Sequence, residues 1–243
     1  MLRRIALVLV AVLVVSAARG AEPDFDRVAR LIVERTNQFR ADNHRPPLTV
    51  NAQLMATARE FADWMAATDL YSHEADGRQP WDRAKAKGYE YCEVAENIAY
   101  AWRSNGFSAD DLLKEFVEGW EKSPPHRKNM LDPDLTEIGV AVARSPDTGL
   151  YYAVQDFGRP RSLRIEFRVV NQAGVAVRYK VGDKTYDLQP RVVMTHELCR
   201  PAELTLLATD GSTAATARPA NGERFVVTRD PDLKLVKEGS QGR

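Results

Sequence analysis

The sequence predicts an α+β protein in two parts, helices packed on a small sheet followed by a small all-β region. Three observations carry this. Apolar residues recur at three- and four-residue spacing from Phe25 to Trp120. Thr136 to Arg144 and Leu150 to Phe157 then read as two strands joined by a turn around Asp147-Thr148-Gly149. Beyond Gly158-Arg159-Pro160, short β-branched runs alternate with Gly, Pro and Asn-Gly breaks.

Asp24 is placed to cap a first helix whose apolar face takes Phe25, Val28, Ile32 and Phe39, and His44 to Pro47 ends it. Asn51 caps a second helix carrying Leu54, Ala58, Phe61 and Met65. Pro80 suits the first turn of a short helix that stops at Gly88. Ser108 with Asp111 resembles a capping box, and Leu112, Leu113, Phe116, Val117 and Trp120 form the stripe behind it. That helix ends before Pro124, a short helical turn follows, and a β-patterned run begins. In the second part, 163–170, 175–181, 184–188, 191–195, 203–207 and 224–228 read as strands, with a polar, disordered tail after Val236.

Arg3 and Arg4 precede a continuous apolar run from Ile5 to about Ala18 and small residues to Ala21, the pattern of a secretory signal peptide. A membrane-spanning helix needs roughly 20 apolar residues, and this run is shorter and meets Glu22 and Asp24. Cleavage after Ala18 or Gly20 would leave a protein with no transmembrane segment, secreted or held in the periplasm or cell envelope. Thirty-four basic residues balance 34 acidic ones, and no Lys/Arg block carries interleaved aromatics, so nucleic acid is not an expected partner. An exported chain meets an oxidising compartment, where Cys92 and Cys199 form either one disulfide or two buried thiols.

The four histidines differ in context. His44 reads as solvent-exposed filler and His196 as a satisfied surface or strand-edge histidine, whereas His73 and His126 sit at breaks outside any apolar stripe. No H-E-x-x-H, paired C-x-x-C or G-x-S-x-G motif occurs, so a metal would need ligands from distant segments and no nucleophile is identified. Glu96-Asn97-Ile98 lies in a segment with neither clear helical nor clear strand period.

Taken in order, several motifs resemble the CAP superfamily of cysteine-rich secretory, antigen 5 and pathogenesis-related proteins, its bacterial branch in particular. They are Leu48-Thr-Val-Asn-Ala-Gln-Leu54; Tyr71-Ser-His73 with Asp76-Gly77-Arg78 and Trp81-Asp-Arg83; Gly88-Tyr89; and Glu96-Asn97-Ile98. Trp120, Ser123-Pro-Pro-His126-Arg-Lys-Asn129-Met-Leu-Asp132-Pro, Thr136-Glu-Ile-Gly139-Val and Tyr151-Tyr-Ala-Val-Gln155-Asp-Phe-Gly158 complete the set. The resemblance implies an α-β-α sandwich over residues 24–158, after a signal peptide at 1–21 and before a β accessory domain at 161–237 and a disordered tail at 238–243. It also implies a cleft in which His73, Glu96 and His126 are the site residues, with His73 and His126 as ligands of a divalent metal such as zinc and Glu96 beside them.

The family's second acid falls on Ser123, which is expected to cap the following turn, while Glu118 and Glu121 face solvent. Asn97, Asn129 and Gln155 are expected to bridge loops to the cleft. Ala95 stands where a Gly often precedes the Glu-Asn pair and is expected to strain or re-angle that loop. A Cys92–Cys199 bond, if formed, would staple the accessory domain to the sandwich. The implied function is a secreted binding module for an extended peptide, lipid, protein or cell-envelope ligand. The alternative is a metal-dependent hydrolase or peptidase in the same cleft, and a third reading makes the sandwich a scaffold and the β region the adhesive part.

Overall fold

The computed structural model describes residues 22–229 and 232–238; the signal-peptide expectation lies outside them, as does all of the expected tail beyond Glu238. Five helices and four strands form the first part: α1 (Phe25–Asp42), β1 (Thr49–Val50), α2 (Ala52–Thr68), α3 (Pro80–Ala86), β2 (Tyr91–Ala101), α4 (Ala109–Lys122), α5 (Pro124–Leu131), β3 (Glu137–Arg144) and β4 (Tyr151–Pro160). The expected caps are made. Asp24 accepts from the amides of Asp26 and Arg27, Asn51 from those of Gln53 and Leu54, and Ser108 and Asp111 form a reciprocal capping box. After α3, Gly88 takes the left-handed conformation (φ 80°) that favours glycine at a helix end.

The sheet runs β1-β3-β4-β2, with β1 parallel to β3 and the other pairs antiparallel. Its two faces are both covered, which is why β4 reads as an almost unbroken buried run. Ile138, Val140, Val142, Ala153 and Phe157 pack under α1 and α4 with Ile32, Phe116 and Trp120. Ala141, Ala143, Tyr152 and Val154 meet Phe61 and Met65 of α2 on the opposite face. Helices on both faces make this the α-β-α sandwich the sequence implies. Asp69 holds the end of α2 to the β3–β4 turn, accepting from Ser145, Thr148 and Tyr152 at 2.8 to 3.0 Å.

The second part forms two four-stranded sheets. One runs β10-β9-β6-β7 and contains Thr213–Ala217, Leu204–Leu207, Val177–Val181 and Lys184–Leu188; the other runs β12-β11-β5-β8 and contains Leu233–Glu238, Glu223–Arg229, Ile165–Asn171 and Val193–Leu198. Their inner faces share one core in which Phe167, Phe225 and Val227 meet Tyr179, Leu204 and Leu206, the arrangement of a β-sandwich.

Several local expectations are corrected. Residues 91–101 form the longest strand of the first sheet, although the interior polar residues Glu96 and Asn97 break the apolar alternation that would reveal it. Ala95 sits in its regular pairing opposite Phe157, so the loop expected to be re-angled there is a strand. The helical turn after Pro125 is an eight-residue helix. Strands β10 and β12 went unread, and Lys237 and Glu238, expected in a disordered tail, pair with Phe225 and Arg224. Of the two readings of His196, the satisfied strand-edge one holds: it lies on the edge strand β8, buried rather than at the surface, stacked on Phe167 and 2.8 Å from the Tyr179 hydroxyl.

Cys92 and Cys199 are bonded, with Cα atoms 5.2 Å apart and 107 positions between them in sequence. The bond ties β2 of the first sheet to the turn after β8. Closing a loop of that length stabilises a fold by about 4 to 5 kcal/mol in the chain-entropy model. The Cys92→Ser/Cys199→Ser variant should therefore show a clearly lower denaturation midpoint than the oxidised protein, and equal midpoints would rule that contribution out. Gly139 offers a sharper test of packing, since a Cβ there would stand 2.1 Å from the backbone carbonyl carbon of Leu54. Gly139→Ala should cost about 3 kcal/mol or more of stability by forcing α2 off β3, measured by denaturant titration.

Candidate functional site

Strand β2 carries the site. Glu96 and Ile98 point to the α2–α3 face, and Asn97 points to the α4–α5 face, because successive strand residues alternate. The loop after α2 brings His73 over β2, so that its Nδ1 lies 2.7 Å from Glu96 Oε1. The other carboxylate oxygen of Glu96 accepts from Arg83 Nη2 at 2.7 Å. Both side chains of this ion pair are 1% exposed.

Arg83 is the organiser of this corner. Its guanidinium donates to Asp76 at 2.8 Å, to the Arg78 carbonyl at 3.0 Å and to the His73 carbonyl at 3.0 Å, and it lies 3.6 Å above the Phe61 ring. One planar cation thereby fixes the His73 loop, Glu96 and the start of α3 on the face of α2. Asp156 pairs with Glu96 across the β2–β4 ladder and is fully buried, with neither carboxylate oxygen in a protein hydrogen bond. Burial, reinforced by the charge of Glu96 and only partly opposed by Arg83, raises its pKa well above the usual carboxylate range. Arg83 and Asp156 both lie in the quoted motifs, but their role emerges only from contacts across the fold.

The opposite wall is α5. Asn97 Nδ2 donates to the His126 carbonyl at 3.2 Å and to Gln155 Oε1 at 3.0 Å. Asn129 Nδ2 donates to the Glu96 carbonyl at 3.2 Å and to Asn97 Oδ1 at 2.9 Å. Gln155 Nε2 continues the chain to the Thr36 hydroxyl at 2.8 Å. The three amides thus lock α5 and β2 to β4 and α1. Partial burial lowers the His126 pKa, and the nearby charge of His73 lowers it further. His73 is thus bonded to one face of β2 through its ring and His126 to the other through its backbone carbonyl.

Ser123 forms the backbone break between α4 and α5, but its side chain makes no capping hydrogen bond, contrary to expectation. Pro124 and Pro125 occupy the first two helical positions and have no N–H, which removes one of the two donors a cap normally uses. Glu118 stays at the surface, 2.8 Å from Lys122. Glu121 does not face solvent as expected: it is largely covered, 2.9 Å from Arg35. The remaining histidine, His44, is exposed at the end of α1 and takes no part.

Tyr71, Tyr100 and Trp102 are large exposed aromatics, the last two at the end of β2 and just beyond it. The rings of Tyr71 and Tyr100 meet edge to face at 4.8 Å, and the Tyr71 hydroxyl donates to the Ile98 carbonyl at 3.1 Å. Burial, with Tyr100 and Glu96 adding to it, pushes the Tyr71 phenol up to about 12. Two concavities of about 230 and 350 Å³ lie elsewhere, one beside Tyr89 and Arg161 and one beside Phe25 and Arg59, and neither touches His73, Glu96 or His126.

The donor set does not fit a catalytic zinc centre. Among the described residues no three of His, Cys, Asp and Glu are grouped to hold a metal ion. Glu96 has one oxygen on Arg83 and the other on His73, which leaves two imidazoles where such a centre uses three protein ligands.

Two measurements check the site. Because the folded-state pKa of His126 lies below its unfolded value, the unfolded chain binds a proton more readily at mildly acidic pH. Its contribution should leave stability flat at neutral pH and reduce it as pH falls through about 6.5 toward the folded value, with a smaller loss in His126→Gln, where buried His196, its pKa also lowered by burial, still contributes. Arg83→Met strands the buried Glu96 beside Asp156 and should cost about 3 to 5 kcal/mol. Adding Glu96→Gln should recover part of that loss, and a strictly additive double variant would refute the pairing.

The comparisons with known proteins agree with this architecture. The uncharacterized protein YkwD of Bacillus subtilis is 31% identical over 115 residues, a stretch that is 47% of this chain and only 42% of that relative. An outer surface protein from Borrelia burgdorferi matches with a TM-score of 0.50 and 19% identity, over 57% of this chain and 96% of that one. An extracellular protein containing a SCP domain from Bacillus anthracis matches with a TM-score of 0.47 and 24% identity, over 56% of this chain and 41% of that one. The family model described as CAP, cysteine-rich secretory protein family, matches residues 33–157, which run from within α1 to within β4 and include His73, Glu96 and His126. The chain belongs to the CAP family of cysteine-rich secretory proteins.

Proposed function

We propose that this protein is a noncatalytic binding module exposed outside the cytoplasm, secreted or held at the cell envelope, whose cleft takes an extended ligand of peptide, lipid or cell-envelope type. What supports the reading is that β2 is bonded on one face to the His73 ring through Glu96 and on the other to the His126 backbone through Asn97, with His126 electrostatically coupled to His73 and the exposed rings of Tyr71 and Tyr100 packed together near Glu96. Amphipathic aromatics next to a few fixed polar groups are the composition of a recognition surface. No activated nucleophile accompanies them: both cysteines are in the disulfide, and Ser123 has no hydrogen bond to a base among the described residues. The disulfide and the signal-like run from Arg3 to Ala21 support an oxidising location. Among the described residues no helix is long and apolar enough to cross a membrane. We divide the chain functionally into the cleft-bearing sandwich of residues 24–158 and the β accessory domain of residues 161–237.

One observation favours a metal-linked variant of this reading. The Nδ1 contact to Glu96 leaves Nε2 of His73 as its free nitrogen, the pattern by which a carboxylate orients a metal-binding imidazole. His73 and His126 would then supply two ligands to a divalent cation such as zinc and the bound ligand would complete the set. Glu96 would orient His73 rather than coordinate. A hydrolase in this cleft would need a further group to activate water.

Binding decides between these readings. The full mature chain should retain a ligand from panels of peptides, lipid vesicles and cell-wall fragments. His73→Ala, His126→Ala and Tyr100→Ala/Trp102→Ala should each weaken that interaction about tenfold or more, the size of one lost buried contact. Retention unaffected by all three variants would refute the cleft. Zinc-dependent cleavage of a peptide library, abolished by chelation and by His126→Ala, would replace the module with a hydrolase.

A further inference from the structure

The disulfide is not the only link between the two parts of the chain, and its neighbour reaches both walls of the cleft. Arg200, next to Cys199, donates from Nε to Glu93 Oε2 at 2.7 Å, and its Nη2 also contacts Glu93 Oε1. The same guanidinium donates to the two carboxylate oxygens of Asp132 at 3.2 and 2.8 Å and to Asp134 at 3.2 Å. Glu93 lies on β2 three residues before Glu96, and Asp132 is the C-cap of α5, six residues after His126. One side chain of the β-sandwich therefore bridges the strand bearing Glu96 and Asn97 to the helix bearing His126 and Asn129.

The far end of α5 has no comparable hold on β2. Asn97 and Asn129 join the two elements beside the site, and Arg40 of α1 holds the carbonyls of Met130 and Asp132 at 2.8 and 2.9 Å. At the Asp132 end only Arg200 spans from α5 to β2 among the described residues. An eight-residue helix is a rigid rod about 12 Å long, so a shift at Asp132 is carried to His126. A cation at this end also meets the partial negative charge of the helix terminus. Arg200 is partly exposed, and an isolated ion pair there would contribute little. Three carboxylates held by one planar fork form a network with defined geometry. The electrostatics agree, since Glu93 and Asp132 raise the pKa of Arg200 while Arg200 lowers that of Asp132 against its burial.

We infer that Arg200 is a positioning residue of the cleft, through which the β-sandwich sets α5, and with it His126, against β2. The accessory part is then a brace that decides the cleft's width, and its contribution does not depend on which ligand the cleft takes.

The test uses the full, oxidised mature chain, so that the Cys92–Cys199 bond keeps the two parts together in every variant. Nuclear magnetic resonance reads the Nδ2 amide protons of Asn97 and Asn129, the ring of His126 and amide exchange along residues 127–131. In Arg200→Met the α5 amides should exchange about tenfold faster, and the Asn129 and His126 signals should shift while amides of β5, β6 and β11 keep their wild-type rates. Arg200→Lys, which retains the charge, should restore part of both effects. Asp132→Asn, which leaves Arg200, Glu93 and the disulfide in place, should reproduce the shifts at Asn129 and His126, and it serves also if Arg200→Met fails to fold. The inference is overturned if Asn129 and His126 are unmoved in Arg200→Met or in Asp132→Asn. Equal disturbance of the whole sandwich would overturn it too, by making the role one of general stability. Ligand loss in the cleft variants with an unmoved α5 in these would separate failure of this inference from failure of the binding reading.

Discussion

The cleft rests on the burial of a single guanidinium. Arg83 enters the space between α2 and the sheet with almost no exposure, and everything that defines the His73 side of the site is bonded to it. Desolvating a charge of this kind is costly, and here carboxylates and carbonyls occupy donors of both Nη atoms, while Nε is buried without a hydrogen-bond partner. Four of its contacts come from segments that have no regular structure of their own or sit at a sheet edge. The ion cluster thus contributes less as net stability than as a constraint, because a displaced His73 loop would leave buried charge without a partner.

The same constraint explains why two buried carboxylates stand side by side. Glu96 and Asp156 face each other across the ladder at a buried position, where burial and the charge of Glu96 raise the pKa of Asp156 and Arg83 only partly opposes them. Asp156, with no protein partner and a raised pKa, is driven toward its neutral form. Glu96 is held between Arg83 and His73, so its orientation toward the imidazole is set by Arg83.

How much of this was readable in the chain depended on whether the signal was local. Caps, capping box and apolar stripes are properties of a few consecutive residues, and Asp24, Asn51, Ser108 and the α4 stripe were read correctly. Strand β2 was not, because a strand that carries a site has polar residues where a core strand has apolar ones. His73, Glu96 and His126 were placed through a resemblance in motif order, whereas Arg83 and Asp156 act through partners 13 and 60 positions away that no local pattern shows. Strand β12 does carry a local signal, since Leu233 and Leu235 alternate with lysine and pack on the sandwich core. The pairing of Cys92 with Cys199 could not be reached from two isolated cysteines, because it depends on how the two parts of the chain meet.

The edge position of β2 bears directly on how a ligand is recognised. An edge strand normally offers free carbonyls and amides to an added strand, the route by which many proteins bind extended peptides. Here the Ile98 carbonyl already accepts from the Tyr71 hydroxyl and from Trp120 Nε1, both at 3.1 Å, and the Glu96 carbonyl accepts from Asn129. Side chains from the α2 loop, α4 and α5 thereby occupy the backbone acceptors along the middle of the strand. A ligand that paired with β2 as a further strand would have to break these bonds and displace α5. Pairing of a further strand, whether from another molecule or from a second copy of this chain, is therefore disfavoured along the middle of β2.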